Sequence, residues 1–203
     1  MIKNSALVLC LALIGGEARA ENHFLAELAG GPATALGQGA DSEAAVGGSL
    51  TIGVGGRFVG HSAAYYLVGR AGSSTLLQTG SAASGHPKVE REDFELLLGP
   101  RAYLPLIGHL RLCLQVMAGE TFEAATVSRV HHPNLEVISD HATFLAGVGL
   151  QYRLHENVSL GAGLEAVAFA QGQTGDVAAR AAGLDHDGAR GRALASLTAT
   201  VHF

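Results

Sequence analysis

Beyond residue 20 the chain has no run of 18 apolar residues, the length a membrane-crossing helix requires. Yet 48% of its residues are hydrophobic, so that content must be dealt out in shorter pieces. The pieces share a period of two. In 46–58, Val46, Gly48, Leu50, Ile52, Val54 and Phe58 alternate with Gly47, Ser49, Thr51, Gly53, Gly55 and Arg57. In 110–118, Leu110, Leu112, Leu114, Val116 and Ala118 alternate with Arg111, Cys113, Gln115 and Met117. Segments 146–154 and 158–168 do the same, with Arg153 and Glu165 on their small or polar faces. Strict alternation is the pattern of a strand with two unlike environments on its two sides.

Four further segments complete a set of eight: 24–34 with Glu27 on the polar face, 63–77 with Arg70, 93–105 with Glu95 and Arg101, and 192–203. Pro100 predicts a bulge or local break in its segment. The connections alternate in length. Long ones are predicted at 35–43, 78–92, 120–142 and 170–191, and short ones at "GRFVGHS", "PLIGHL" and "LHEN". Long loops at one end and tight turns at the other characterise an outer-membrane β-barrel, and an even strand count puts both termini on the periplasmic side. The expected fold is therefore all-β, an eight-stranded antiparallel transmembrane up-and-down barrel. A soluble β-sandwich is the rival that alternation alone leaves open.

The two ends of the chain agree with this placement. Lys3, the apolar stretch Ala6–Ile14 and "ARA" at 18–20 form the pattern of a secretory signal peptide, so 1–20 is expected to be a signal and 21–203 the barrel domain. The tail "GRALASLTATVHF" sets Leu197, Val201 and Phe203 on one face and Thr198, Thr200 and His202 on the other. Its aromatic last residue is similar to the C-terminal signal that barrel assembly machinery reads, with Leu197, Val201 and Phe203 as the signal residues. The whole pattern resembles the OmpA/OmpX-like family of small eight-stranded outer membrane barrels. That resemblance implies the fold and a location in the bacterial outer membrane, with membrane lipids and the assembly machinery as partners.

Eight inward-facing charges are expected to form a network filling the lumen: Glu27, Arg57, Arg70, Glu95, Arg101, Arg111, Arg153 and Glu165. A barrel of eight strands is only wide enough for its own side chains, and the arginine excess would give any residual pore an anion preference. Among enzymes, the lipid A deacylases use a His, a Ser two residues on and a Glu near the outer rim; the nearest match is His141, Thr143 and Glu165, with Glu123 close by. His86, His131, His132, His141 and His186 fall in the predicted outer loops, but no spacing matches a metal motif. No cofactor and no metal site are expected. A formal charge of −5 argues against nucleic acid as a partner. The expected role is non-enzymatic: a monomeric surface protein that meets an extracellular ligand through its loops. A lipid A-modifying enzyme and a narrow solute pore are the alternatives.

Overall fold

The computed structural model describes residues 23–36, 46–59, 63–79, 88–128, 135–170 and 191–203. Residues 1–20, the expected signal, and His86, His131, His132 and His186 lie outside the described residues. Eight strands follow one another: β1 Phe24–Leu36, β2 Val46–Val59, β3 Ala64–Thr79, β4 Lys88–Pro105, β5 Leu110–Ser128, β6 Leu135–His155, β7 Val158–Ala170 and β8 Gly191–His202. Each pairs antiparallel with the next, and β1 pairs with β8, so the sheet closes on itself. Closure leaves no sheet edge unpaired, the condition a strand protein must meet in lipid.

The apolar set of each strand points outward. Leu28, Leu50, Val54, Leu67, Leu98, Val116, Val148, Leu164 and Leu197 are all exposed, Leu197 by 73%. A soluble protein rarely shows apolar patches beyond a few hundred Å². An apolar surface running round a closed barrel therefore faces lipid, which disposes of the sandwich. Aromatic side chains bracket this belt. Phe24, Tyr65 and Tyr152 are exposed at the end carrying the short turns, where the Phe24 and Phe203 rings stack at 6.4 Å. Phe94, Phe122 and Phe144 are exposed towards the other end. Along β6, Phe144 and Tyr152 are about 27 Å apart at 3.4 Å per residue, or about 20 Å of height at a tilt of ~40°. That approaches the band a barrel presents to an outer membrane.

The short turns are where the alternation places them. At Leu106–His109 the chain reverses through Gly108, whose φ of 58° suits glycine, and Leu110 N donates to Ile107 O at 3.0 Å. A two-residue turn, Glu156–Asn157, joins β6 to β7. The long connections need correction. Residues 120–128 and 135–142 are strand, as are 88–92, because β4, β5 and β6 run to 18, 19 and 21 residues. A tilted membrane strand needs only about 9–11 residues, so these three continue past lipid. There Glu90, Glu92, Glu136 and Asp140 stand at outward positions mixed with Ala124, Thr126 and the exposed Ile138, and the apolar/polar contrast that marks a strand vanishes although the strand does not.

Pro100 makes no bulge, but the residue pairing with β5 lapses at Gly99 and Pro100, the local break its missing N–H predicts. β4 runs through it, and its register with β5 is the same on both sides, Leu98 opposite Ala118 and Arg101 opposite Gln115. The register shifts occur instead at Arg57/Val59 and Arg153/His155, near the short-turn end. Two interior glycines allow neighbouring strands to approach closely. A Cβ on Gly47 would lie 1.7 Å from Thr75 O, and one on Gly119 would lie 1.9 Å from Leu96 O.

Candidate functional site in the lumen

Alternation sends the polar residues of all eight strands into a lumen that only side chains can fill. The inward charges join into one network there. At its outer end Arg192 on β8 bonds Ser74 Oγ at 2.6 Å and Asp93 Oδ2 at 2.7 Å, and pairs with Glu95. Ser74 Oγ also donates to Asp93 at 3.2 Å, and the Arg192 guanidinium lies 5.6 Å from the centre of the Phe169 ring. Arg70 on β3 bridges inward from Glu95 at 3.2 Å to Glu165 at 2.7 Å. Gln115 carries the chain on, donating to Glu165 at 2.8 Å and accepting from Arg101 Nε and Nη2 at 3.0 and 2.6 Å. Arg101 grips both oxygens of Glu27, one of them at 2.9 Å, and donates to the Tyr103 hydroxyl at 3.2 Å. Gln151 and Thr200 extend it further at 2.9 Å.

Below this network the lumen is closed by rings. Tyr66, Tyr103 and His202 are buried and pack edge-on or tilted, with centroids 5.7, 6.1 and 6.0 Å apart. Beside the network a cavity of about 40 Å³ remains, lined in part by Gly147, Gly149, Gly161 and Gly163. That is room for a water molecule or two, not for a pathway.

Of the eight expected lumen charges, Glu27, Arg70, Glu95, Arg101 and Glu165 are in this network. Arg57, Arg111 and Arg153 are not: they lie at the short-turn end, beyond the ring floor, close enough to Tyr66 to act on it electrostatically. Sequence reasoning missed Arg192, Asp93, Ser74 and Gln115. Arg192 was legible in principle, since it shares the inward parity of Thr198, Thr200 and His202. With Arg192 and Asp93 included, three arginines face four carboxylates. The expected arginine excess is thus absent from the middle of the lumen.

The hydrolase residues are not brought together. Thr143 Oγ1 donates to Thr121 Oγ1 at 2.8 Å and contacts the backbone oxygen of His141 at 3.1 Å, and Glu165 belongs to Arg70 and Gln115. What stands beside the His141 ring is Ser139, whose Oγ is 3.1 Å from Nε2, with Glu123 3.7 Å from the same nitrogen. Arg91 lies 3.8 Å from Glu123, and Phe169 packs against the imidazole at 5.8 Å. A triad needs the carboxylate on the nitrogen that does not face the nucleophile, to hold the ring and its tautomer. Nδ1 is buried without a hydrogen-bond partner among the described residues. Among those residues no group of three or more His, Cys, Asp or Glu side chains is placed to hold a metal ion.

No protein-family model matches the chain, and no curated protein does. Solved structures do. The chain is similar to a major outer membrane protein of Thermus thermophilus, with a TM-score of 0.53 at 13% identity, covering 88% of this chain and 99% of that one. It is also similar to Neisserial surface protein A, with a TM-score of 0.52 at 13% identity, covering 91% and 98%. Fold, closed sheet and lipid-facing belt define a small eight-stranded β-barrel of the bacterial outer membrane. Its architecture is the OmpA/OmpX-like one that the sequence pattern resembles.

Proposed function

We propose that this barrel is a plugged, non-enzymatic surface protein, acting through the part of β4, β5 and β6 that stands outside the membrane and the connections they carry. The observation that supports this most is the filled lumen. A chain of buried ion pairs, joined through Gln115, runs from Arg192 to Glu27 and is floored by Tyr66, Tyr103 and His202, which supports a scaffolding role for the interior. Rigid scaffolds that carry function on projecting loops are a recurrent arrangement. Four outward positions beyond the upper phenylalanines, Glu90, Glu92, Glu136 and Asp140, are acidic, with Ile138 exposed among them, so the reading favours a cationic partner. The test is capture of proteoliposomes on immobilised oligolysine. Charge removal by Glu90→Gln, Glu92→Gln, Glu136→Gln and Asp140→Asn together should abolish capture, and equal capture by both proteins contradicts the reading.

The alternative is a lipid A-modifying enzyme. The Ser139–His141 contact favours it, and the unpartnered Nδ1 speaks against it. Mass spectrometry of outer-membrane lipids from cells with and without the protein discriminates. The proposed role requires identical profiles. Loss or gain of an acyl chain, abolished by Ser139→Ala, establishes the enzyme.

A further inference from the structure

The lipid-facing wall of β5 carries a carboxylate. Every outward residue from Leu110 to Phe122 is apolar except Glu120. Its direction is fixed by its neighbours in the chain: Thr121 faces the lumen and is wholly buried, while Glu120 is exposed. Its side chain makes no hydrogen bond or ion pair with any described residue. An ionisable group turned towards lipid carries a cost that grows with depth, and such groups mark functional sites whose partner can be named.

The pairing register shows what surrounds it. Glu120 is opposite Leu96 on β4 and Ala142 on β6. Phe122 follows it on the same face of β5 and is opposite Phe94, which makes Phe94 a diagonal neighbour of Glu120. Phe144, opposite Ala118, is the diagonal neighbour on the other side. Diagonal positions on one face lie within reach of aromatic side chains, and all three rings are exposed. Ala142, and Ala170 opposite it on β7, are too short to cover the carboxylate from that side. A negative charge thus stands in an open notch among aromatic rings, one outward position inside the Phe94–Phe122 pair.

Carboxylate and aromatic rings together suit one kind of cation. An ammonium binds to ring faces as well as to a carboxylate. A divalent ion takes several oxygens, and among the described residues no group of three or more His, Cys, Asp or Glu side chains is placed to hold one. Leu96, Leu98 and Ala118 continue the apolar belt from the notch, so the occupant shares the bilayer.

We propose that Glu120, with Phe94, Phe122 and Phe144, forms a lipid-facing site for the primary ammonium of an ethanolamine-type headgroup in the outer leaflet. The site is separate from the acids beyond the rings that favour a cationic partner, and it stands whether or not that surface binds one.

Native mass spectrometry of the assembled, heat-modifiable protein, released from detergent, counts bound lipids directly. Phosphatidylethanolamine and phosphatidylcholine with identical acyl chains carry the same net charge, but only the first has ammonium N–H donors. The parent should bind phosphatidylethanolamine about tenfold more tightly, the worth of one hydrogen bond to a charged group. Glu120→Gln should erase that preference, and Glu90→Gln, beyond the rings, should preserve it. Phe122→Leu keeps apolar bulk but removes a ring, and should weaken phosphatidylethanolamine binding several-fold. If Glu120→Gln fails to assemble, Glu120→Asp keeps the charge on a shorter stem and should show a reduced preference. Equal affinity of the parent for the two lipids, or a preference undiminished in the assembled Glu120 variants, overturns the proposal. So does a preference that EDTA abolishes, which would place a metal ion on the carboxylate, or a lipid-free dimer, which would place a second copy in the notch.

Discussion

Arg101 is the centre of the lumen network, and its removal can be followed through the structure. Its guanidinium holds both oxygens of Glu27, the amide oxygen of Gln115 and the hydroxyl of Tyr103. In Arg101→Met the carboxylate of Glu27, 8% exposed, keeps among the described residues the Thr200 hydroxyl at 3.4 Å. A buried charge stripped of its partner costs about 3–5 kcal/mol. Glu27→Leu alone strands the guanidinium in the same way, although Gln115 and Tyr103 soften the loss. Both changes together leave no orphan charge, and apolar replacement of a whole pair is often nearly neutral. The double variant should therefore lie within about 2 kcal/mol of the parent. Urea unfolding in lipid vesicles measures all four proteins. The chain has no Trp, so the transition is read by far-ultraviolet circular dichroism and by the gel-mobility shift of the unboiled barrel. Additivity of the two single losses within about 0.5 kcal/mol, as for independent sites, would refute the idea that these residues form one coupled plug.

Two further expectations concern the wall. Gly47→Ala places a methyl 1.7 Å from Thr75 O and should cost about 1–3 kcal/mol. Its neighbour Gly48→Ala meets nothing nearer than Gly31 O at 3.9 Å and should be tolerated; equal effects in the same urea titration would remove the case for close strand approach at Gly47. Phe203→Ala loses the stack on Phe24, worth about 0.5–1.5 kcal/mol. If the tail is also an assembly signal, the yield of assembled protein in cells should fall several-fold while the purified variant refolds in detergent almost as well as the parent. Equal losses in both settings would reduce Phe203 to a packing residue.

The sequence made the barrel legible because lipid and lumen are unlike solvents. Wherever both are present, as along Leu112–Val116 or Leu160–Ala168, residue type reports which way a side chain points. Past the membrane the contrast ends. Ser139, Asp140 and His141 lie on a strand with polar neighbours on both faces, so that tract reads as loop, and the spacing does not single out Ser139 beside His141. Parity also gives a face but not a height. Arg111 and Arg101 are both inward, and nothing in their spacing says that one meets Glu27 while the other stands at the mouth with Arg153. That difference arises from shear, which offsets each strand against the next around the barrel and becomes visible only with the pairing register.

The central claim is that the lumen is filled by its own side chains and that the protein works at its surfaces. The most direct measurement is single-channel recording of the purified, heat-modifiable protein in planar bilayers under molar KCl. A plugged barrel predicts a silent membrane over the whole voltage range, with current steps emerging only when Arg101 and Glu27 are both truncated. Discrete, reproducible conductance steps from the unaltered protein would contradict the account and make the Gly-lined cavity beside Gln115 part of a pore.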